Sequence, residues 1–468
     1  MKVAVFIPHS YDLNTTPPLG PLYLLSMLEK NNFDVWLFDS RIDSNALNNL
    51  ISFSPQIVGI SSVTSNFNSG LLASKHIKNH LPDATIVFGG PHPTVLPDTI
   101  IKENSIDYVL TNEAEYTFLD LCTAIRNNDI STQSLSKISN LYYKIENEHY
   151  HTGNSEFLSE NEINNLPYPA FHKMEISKYF CKSQTHGLFR KGKRILPIIT
   201  SRGCPNTCTF CCRILGSKIR YRDIDSVIFE INHLSKTYNI DEIYIEDDNF
   251  TLKKDRALYF LDKFASLKPN LYLKFANGLR TDTVNKEILL AMKKANVYSI
   301  SFGIESGNES TLKKMKKNLN LELSRENILL AKSMGFLVGS NCIIGYPGEN
   351  IADIRKSMNY FFSLPLDSMA IVNLVPFPGT EIRDICLKHK YLTKEASIWD
   401  NYYFSINQPI PLIETPQLST NQLVKIIKHA YFKMYLNPRW LFNNLKHLPL
   451  KHILKGIKLF MPDIFSKK

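Results

Sequence analysis

The chain has no apolar run approaching the roughly 18 residues that a membrane-crossing helix requires, so it is not expected to span a bilayer. Cysteine is scarce, 8 of 468 residues with half of them scattered singly, which argues against a disulfide framework. A leader is not expected either, because the apolar stretch in Met1-Lys-Val-Ala-Val-Phe-Ile-Pro8 is too short for a signal peptide and reads as a buried strand. Nor is there a bias towards disorder: hydrophobic residues are 44 % and charged residues 21 %, the balance of a globular enzyme. The net charge of +10 comes with no recognised nucleic-acid-binding module, so nucleic acid is not an expected partner. A chain of 468 residues is too long for one ordinary core, and two or three domains are expected.

Three of the few cysteines stand together. Cys204, Cys208 and Cys211 lie in Ser201-Arg-Gly-Cys-Pro-Asn-Thr-Cys-Thr-Phe-Cys211, directly after a strand-like run. Three thiolates suit three irons of a 4Fe-4S cluster and leave the fourth iron open to a non-protein ligand, whereas a closed zinc site calls for four protein ligands. A zinc knuckle or a disulfide is the plainer alternative. Cys212 is awkward as a fourth ligand because adjacent side chains diverge; it reads as packing, with a reactive role open. Cys122, Cys181, Cys342 and Cys386 read as buried thiols. Unpaired thiols and an oxygen-sensitive cluster both point to a reducing cytoplasm.

Residues 1–130 alternate short apolar runs with helical patterns: strands Val3 to Ile7, Val35 to Asp39, Ile57 to Val63, Thr85 to Gly89 and Tyr108 to Leu110, and helices Leu19 to Lys30, Phe67 to His80 and Glu115 to Arg126. The expected fold is α/β, a doubly wound Rossmann-like parallel sheet with helices on both faces. Ligands of such sheets sit at the strand carboxyl ends, where this chain places Ser61, Thr64, Gly89, Gly90, His92 and Glu113. Residues 131–193 are polar and uneven and read as a linker stiffened by Pro167 and Pro169. Alternation resumes over 194–380, with six strands from Ile195 to Thr200 through Ala370 to Val375, the pattern of a partial (β/α)6 barrel. Residues 381–468 read as a helical, basic extension with a helix from Asn421 to Leu436. The tail mixes Trp440, Leu441, Phe442, Leu448, Ile453, Ile457, Leu459 and Phe460 with Arg439, Lys446, Lys451, Lys455 and Lys458. Such a mixture suits peripheral contact with an anionic membrane surface, or a helix packed on the barrel with its basic face in water.

The spacing C-x3-C-x2-C with Phe210 before the third cysteine resembles the cluster signature of the radical S-adenosylmethionine (SAM) enzymes. Upstream, Pro17-Pro-Leu-Gly-Pro-Leu-Tyr23, Gly89-Gly-Pro-His-Pro-Thr94 and Asn112-Glu-Ala-Glu115 are similar to the cobalamin-binding domain of cobalamin-dependent radical SAM proteins. The resemblance covers about residues 1–380. It implies three cofactors: a 4Fe-4S cluster held by Cys204, Cys208 and Cys211, SAM chelated to the open iron and cleaved to a 5′-deoxyadenosyl radical, and cobalamin facing the same water-poor cavity. It places Asp247 and Asp248 at the SAM amino group and Glu305 at its ribose or amino group. The glycines of Gly345-Tyr-Pro-Gly348 would lie beside the nucleoside, and Arg280 after the third strand could clamp a carboxylate bidentately. Each of these residue types also suits a cap or turn. None of the 13 histidines lies in the D-x-H-x-x-G motif that donates a cobalt ligand in other cobalamin proteins, which leaves His92 as the one replacement, against a packing role.

The reaction implied is methylation of an unactivated carbon or phosphorus of a small-molecule or lipid-like substrate, fed by an external electron donor such as flavodoxin or ferredoxin. A cyclase or rearrangement enzyme with the same cofactors is the alternative, and a non-catalytic corrinoid or iron-sulfur sensor is a third reading. RNA methylthiolation is disfavoured because the amino-terminal domain holds only Cys122, where those enzymes carry a second cluster. The catalytic residues themselves are not identified by the sequence.

Overall fold

The computed structural model describes residues 1–10, 15–146, 148–182, 189–267, 270–404 and 409–444. Two compact units are present: one takes Met1–Thr185, Arg202–Cys204 and Cys212–Asp223, the other His186–Ser201, Pro205–Cys211 and the chain from Ile224 on.

The first unit is built on one sheet. Strands β1 (Lys2–Ile7), β2 (Asp34–Asp39), β3 (Ile57–Ser61), β4 (Thr85–Gly89) and β5 (Tyr108–Leu110) are parallel, and β6 (Leu141–Ile145) and β7 (Glu148–His151) add an antiparallel hairpin, giving the order β2-β1-β3-β4-β5-β6-β7. Val3, Ala4, Val58, Ile86 and Phe88 have no side chain in water, which is why these strands read as continuous apolar runs. Helices Leu19–Lys30, Phe67–His80 and Glu115–Arg126 form where the pattern predicts, and Ala46–Phe53 is an additional helix. The order 2-1-3-4-5 is that of a doubly wound sheet, with its switch point between β1 and β3.

The stretch 131–193 is not a free linker. It supplies the hairpin, buries Ile163, Phe171, Met174 and Tyr179, and donates the Ala170 N–H to Leu22 O at 3.1 Å. The Tyr179 hydroxyl donates to Asp39, which also holds Arg41 bidentately. Edge pairing needs only main-chain groups, so the fully exposed β7 carries no apolar signal that could have announced it.

In the second unit, β8 (Ile195–Ile198), β9 (Glu242–Ile245) and β10 (Tyr272–Phe275) form one parallel sheet, and β11 (Ser299–Glu305), β12 (Leu337–Ile344) and β13 (Ser368–Asn373) another. Parallel bridges Leu273–Val297 and Leu279–Phe302 join the two, so six strands run in chain order as a partial (β/α)6 barrel. The edge strand β13 is covered by the helix Thr420–Tyr435, whose Tyr431 hydroxyl accepts the Ile371 N–H at 2.7 Å. The short helix Pro438–Asn444 buries Trp440, and Asn444 Nδ2 donates to Asp367 O. The rest of the basic tail, from Lys446 and Leu448 through Lys451, Ile453, Lys455, Ile457, Lys458, Leu459 and Phe460, lies outside the described residues, as do the side chains of Arg439 and Phe442. Among the described residues no helix is long and apolar enough to cross a membrane.

Candidate functional site

The cysteine loop leaves β8 through a buried brace. Asp247, at the end of β9, accepts the Thr200 N–H and hydroxyl and the Ser201 hydroxyl, each at 2.6 Å. Arg256 donates to Thr200 O at 2.8 Å. Burial pushes the Asp247 carboxyl up from its ordinary range, against these hydrogen bonds. Both its oxygens are engaged with the chain, so Asp247 positions the loop's entrance and is not free for the amino group expected from the sequence. Asp248 is exposed.

Gly203 follows with φ of +90°, and a Cβ there would stand 2.5 Å from Lys218 O, so only glycine fits. Cys204 N–H then donates to Gly216 O. Further along, Cys208 is buried and Cys211 exposed. The Cys211 thiol hydrogen-bonds to Cys208 and, with the cations Lys317 and Arg280, lowers the Cys208 thiol against burial and Glu305, while the same bond raises the Cys211 thiol. Thiolate ligation is what such an electropositive setting favours. Among the described residues no group of three or more Cys, His, Asp or Glu side chains converges as a single metal ion would need. Three thiols serving three separate irons need not close on one point, so an all-thiol donor set beside two cations fits a cluster better than zinc.

Around these thiols lie residues that the sequence reading placed and one that it missed. Glu305 sits at a register shift in β11, with φ of +71° and only 8 % exposure, and its Oε1 accepts from Lys317 Nζ at 3.3 Å. A non-glycine residue held in the left-handed region within a strand is strain of the sort found at ligand sites. Lys317 is the missed member. It belongs to the run Lys313-Lys-Met-Lys-Lys317, where nothing in the sequence separates the buried lysine from its exposed neighbours. Arg280 is held bidentately by Asp282 and also donates to Lys317 O, so its fork is already matched to a carboxylate of this chain.

Gly345 and Gly348, with φ of +82° and +84°, shape a turn around Glu349. Glu349 Oε2 accepts the N–H groups of Gly345 and Tyr346 at 3.0 and 2.9 Å, and Oε1 accepts the Thr311 hydroxyl. Burial pushes this carboxyl up to about 7. A Cβ on Gly345 would meet Leu423 at 3.0 Å, so the space is taken by the carboxy-terminal helix.

In the first unit, the strand ends divide into open and consumed positions. Ser61 is half-buried, and a Cβ on Gly89 would meet only Leu110 O, at an ordinary 3.7 Å, so both remain available to line a ligand. Gly90 is required by packing: φ is +100° and its Cβ would lie 2.9 Å from Ser62 O. Gly90→Ala should therefore destabilise this unit by about 1–3 kcal/mol, read as a lower thermal midpoint; an unchanged midpoint would contradict the close approach. His92 is 1 % exposed, packs tilted against Phe67 at 4.5 Å between ring centroids, and meets Thr64 Oγ1 at 3.2 Å. It braces the loop and is not presented as a cobalt ligand, and Thr64 is its buried partner. Glu113 is consumed too: its oxygens take Arg202 at 2.9 Å, Arg220 at 2.5 Å and the Leu158 N–H. Arg202 reaches Glu115 as well, at 2.7 Å.

A cavity of about 820 Å³ lies elsewhere, between His389, Tyr391, Pro411, Glu414, Thr420 and Val424 of the carboxy-terminal segment. Size alone does not mark the chemistry here, because the thiols and their cations stand at the barrel strand ends.

Two family models match the chain: the radical SAM superfamily over residues 198–361 and the B12 binding domain over residues 13–122. An uncharacterized methyltransferase of Pyrococcus horikoshii is 29 % identical over 95 % of this chain and 95 % of its own. The cytidylyl-2-hydroxyethylphosphonate methyltransferase of Streptomyces wedmorensis is 28 % identical over 83 % of this chain and 81 % of its own. The fold matches that of the radical S-adenosylmethionine methyltransferase TsrM from Kitasatospora setae, solved with tryptophan and a SAM analogue, at a TM-score of 0.68 and 18 % identity, covering 83 % of this chain and 76 % of that one.

Proposed function

We propose that this chain is a cobalamin-dependent radical SAM enzyme that methylates a carbon or phosphorus centre of a small-molecule or lipid-like substrate. The carrying observation is the all-thiol loop beside Lys317 and Arg280 at the barrel strand ends, in a polypeptide that also holds a B12-binding domain. Similarity to a phosphonate methyltransferase over 83 % of this chain supports methyl transfer over the other reactions of these cofactors.

When bound, the cluster and cobalamin supply reductive cleavage of SAM and a methyl carrier. The protein supplies placement. Cys204, Cys208 and Cys211 would hold the cluster, with Lys317 and Arg280 offsetting its negative charge. Asp247 fixes the exit of β8, so that the loop starts from a set point. Glu305, paired with Lys317 and held in a strained backbone state, is the carboxylate beside the thiols that would meet SAM. Ser61 and Gly89 would line the corrinoid at the carboxyl ends of the first sheet. The electron has to come from outside the chain, from a flavodoxin- or ferredoxin-type donor, and the thiols suit a reducing cytoplasm.

The test is anaerobic reconstitution followed by counting SAM-derived products. Methyl transfer requires S-adenosylhomocysteine to accumulate in step with product. Turnover that yields 5′-deoxyadenosine with no S-adenosylhomocysteine would replace this reading with cyclisation or rearrangement, and a reduced protein that never cleaves SAM would leave only a sensor.

A further inference from the structure

We propose that Tyr346 is a positioning residue for the cluster loop, acting through Thr209; the inference rests on the radical SAM reading and deepens it. Thr209 stands between Cys208 and Cys211, is 2 % exposed, and has every polar group engaged. Its N–H donates to Met315 O at 3.1 Å, its carbonyl accepts the Ile382 N–H at 3.0 Å, and its hydroxyl lies 2.8 Å from the Tyr346 hydroxyl. The direction of that last bond follows from proton counting. Tyr346 has one hydroxyl proton and directs it to the Lys314 carbonyl, 3.0 Å away, which can only accept. Thr209 must therefore donate to the phenol oxygen, giving a one-way relay from the loop through Tyr346 to Lys314.

The far end of the relay is anchored independently. The Tyr346 N–H is held within its turn by Glu349, while Lys314 Nζ donates to Gly348 O at 2.8 Å and Thr311 donates to Glu349, so the turn and the helix Glu309–Lys314 are tied at two points besides the relay. The Tyr346 ring packs with Met315, Ile343 and Ile382, and Phe210 of the cysteine motif rests on the same cluster. Packing thus fixes the ring, while the hydroxyl alone reaches into the cysteine loop. Hydrogen bonds and loop geometry around cluster sulfurs set cluster potentials, so this hydroxyl tunes the cluster held by Cys208 and Cys211.

Tyr346→Phe keeps the ring, Thr209→Val keeps the shape without the hydroxyl, and Thr209→Ser keeps the hydroxyl. After anaerobic reconstitution of the full chain, iron content, thermal midpoint, cluster midpoint potential and the spectrum of the reduced cluster are measured for each variant and for the Tyr346→Phe/Thr209→Val pair. The expected result is near wild-type iron in all, a potential shifted in the same direction in the two single removals, no further shift in the pair, and a wild-type value in Thr209→Ser. Wild-type potentials and spectra in both single removals would overturn the proposal. So would a double variant whose shift is the sum of the two, or variants that lose iron and stability while their residual cluster keeps the wild-type potential. The potential is read without SAM, so a cluster that ignores added SAM would sink the functional reading and leave this result to stand or fall separately.

Discussion

Cys208→Ala should abolish both the visible absorbance of the cluster and SAM cleavage. Cys208 is the buried member of the thiol pair, and it is the one that Cys211, Lys317 and Arg280 together push towards the thiolate form. Removing it leaves two thiols, too few for three irons, and strands Lys317 beside Glu305 with one anionic partner fewer. The folded barrel should persist, because the substitution removes one small side chain at a loop whose main chain is secured at Thr209. Iron content after anaerobic reconstitution and SAM consumption with a strong reductant check this, alongside a circular-dichroism melt. Retention of either the absorbance or the cleavage would contradict the assignment of the loop.

Glu113→Ala should cause the largest loss of stability. Glu113 bridges two guanidiniums, Arg202 and Arg220, with side chains only about 5 % exposed on all three. Removing one partner of a buried ion pair leaves uncompensated charge and costs about 3–5 kcal/mol. Arg202 retains Glu115, whereas Arg220 retains the carbonyls of Leu158 and Leu215 and the Phe157 ring, none of them a full negative charge, so Arg220 bears most of the cost. A midpoint drop on the order of ten degrees is expected for a unit of this size. Arg202 lies two positions before Cys204, so the variant should also release iron at a lower temperature than wild type. Glu113→Gln, which can still accept hydrogen bonds, should fall between the two. A Glu113→Ala protein that melts with wild type would show that the network adds nothing.

Much of the fold was legible because it is written in local periodicity. Helices Leu19–Lys30, Phe67–His80 and Glu115–Arg126 and strands Thr85–Gly89 and Tyr108–Leu110 match their apolar patterns residue for residue. The hairpin of β6 and β7 was not legible, since β7 exposes every side chain and its ring pairs, Tyr142–His151 and Tyr143–Tyr150, form only across the aligned strands. The candidate site was legible in its thiols and much less so in its polar residues. Asp247, Glu113 and His92 occupy strand ends where ligands bind, yet each is spent on internal contacts. Lys317, Thr209 and Tyr346 carried no sequence signal, because a lysine in a basic run and a hydroxyl inside a motif look like their neighbours.

The sequence by itself determined the α/β alternation, the six strands of the second unit and the three-thiol loop, all set by spacing along a few residues of chain. Only the tertiary structure decided which polar side chains remain free to meet a ligand. That choice depends on partners far apart in the chain, 47 residues for Thr200 and Asp247 and 107 for Glu113 and Arg220. Burial makes an unpartnered polar group costly, so the nearest donor or acceptor in space claims it, and nearness in space is what linear spacing does not record.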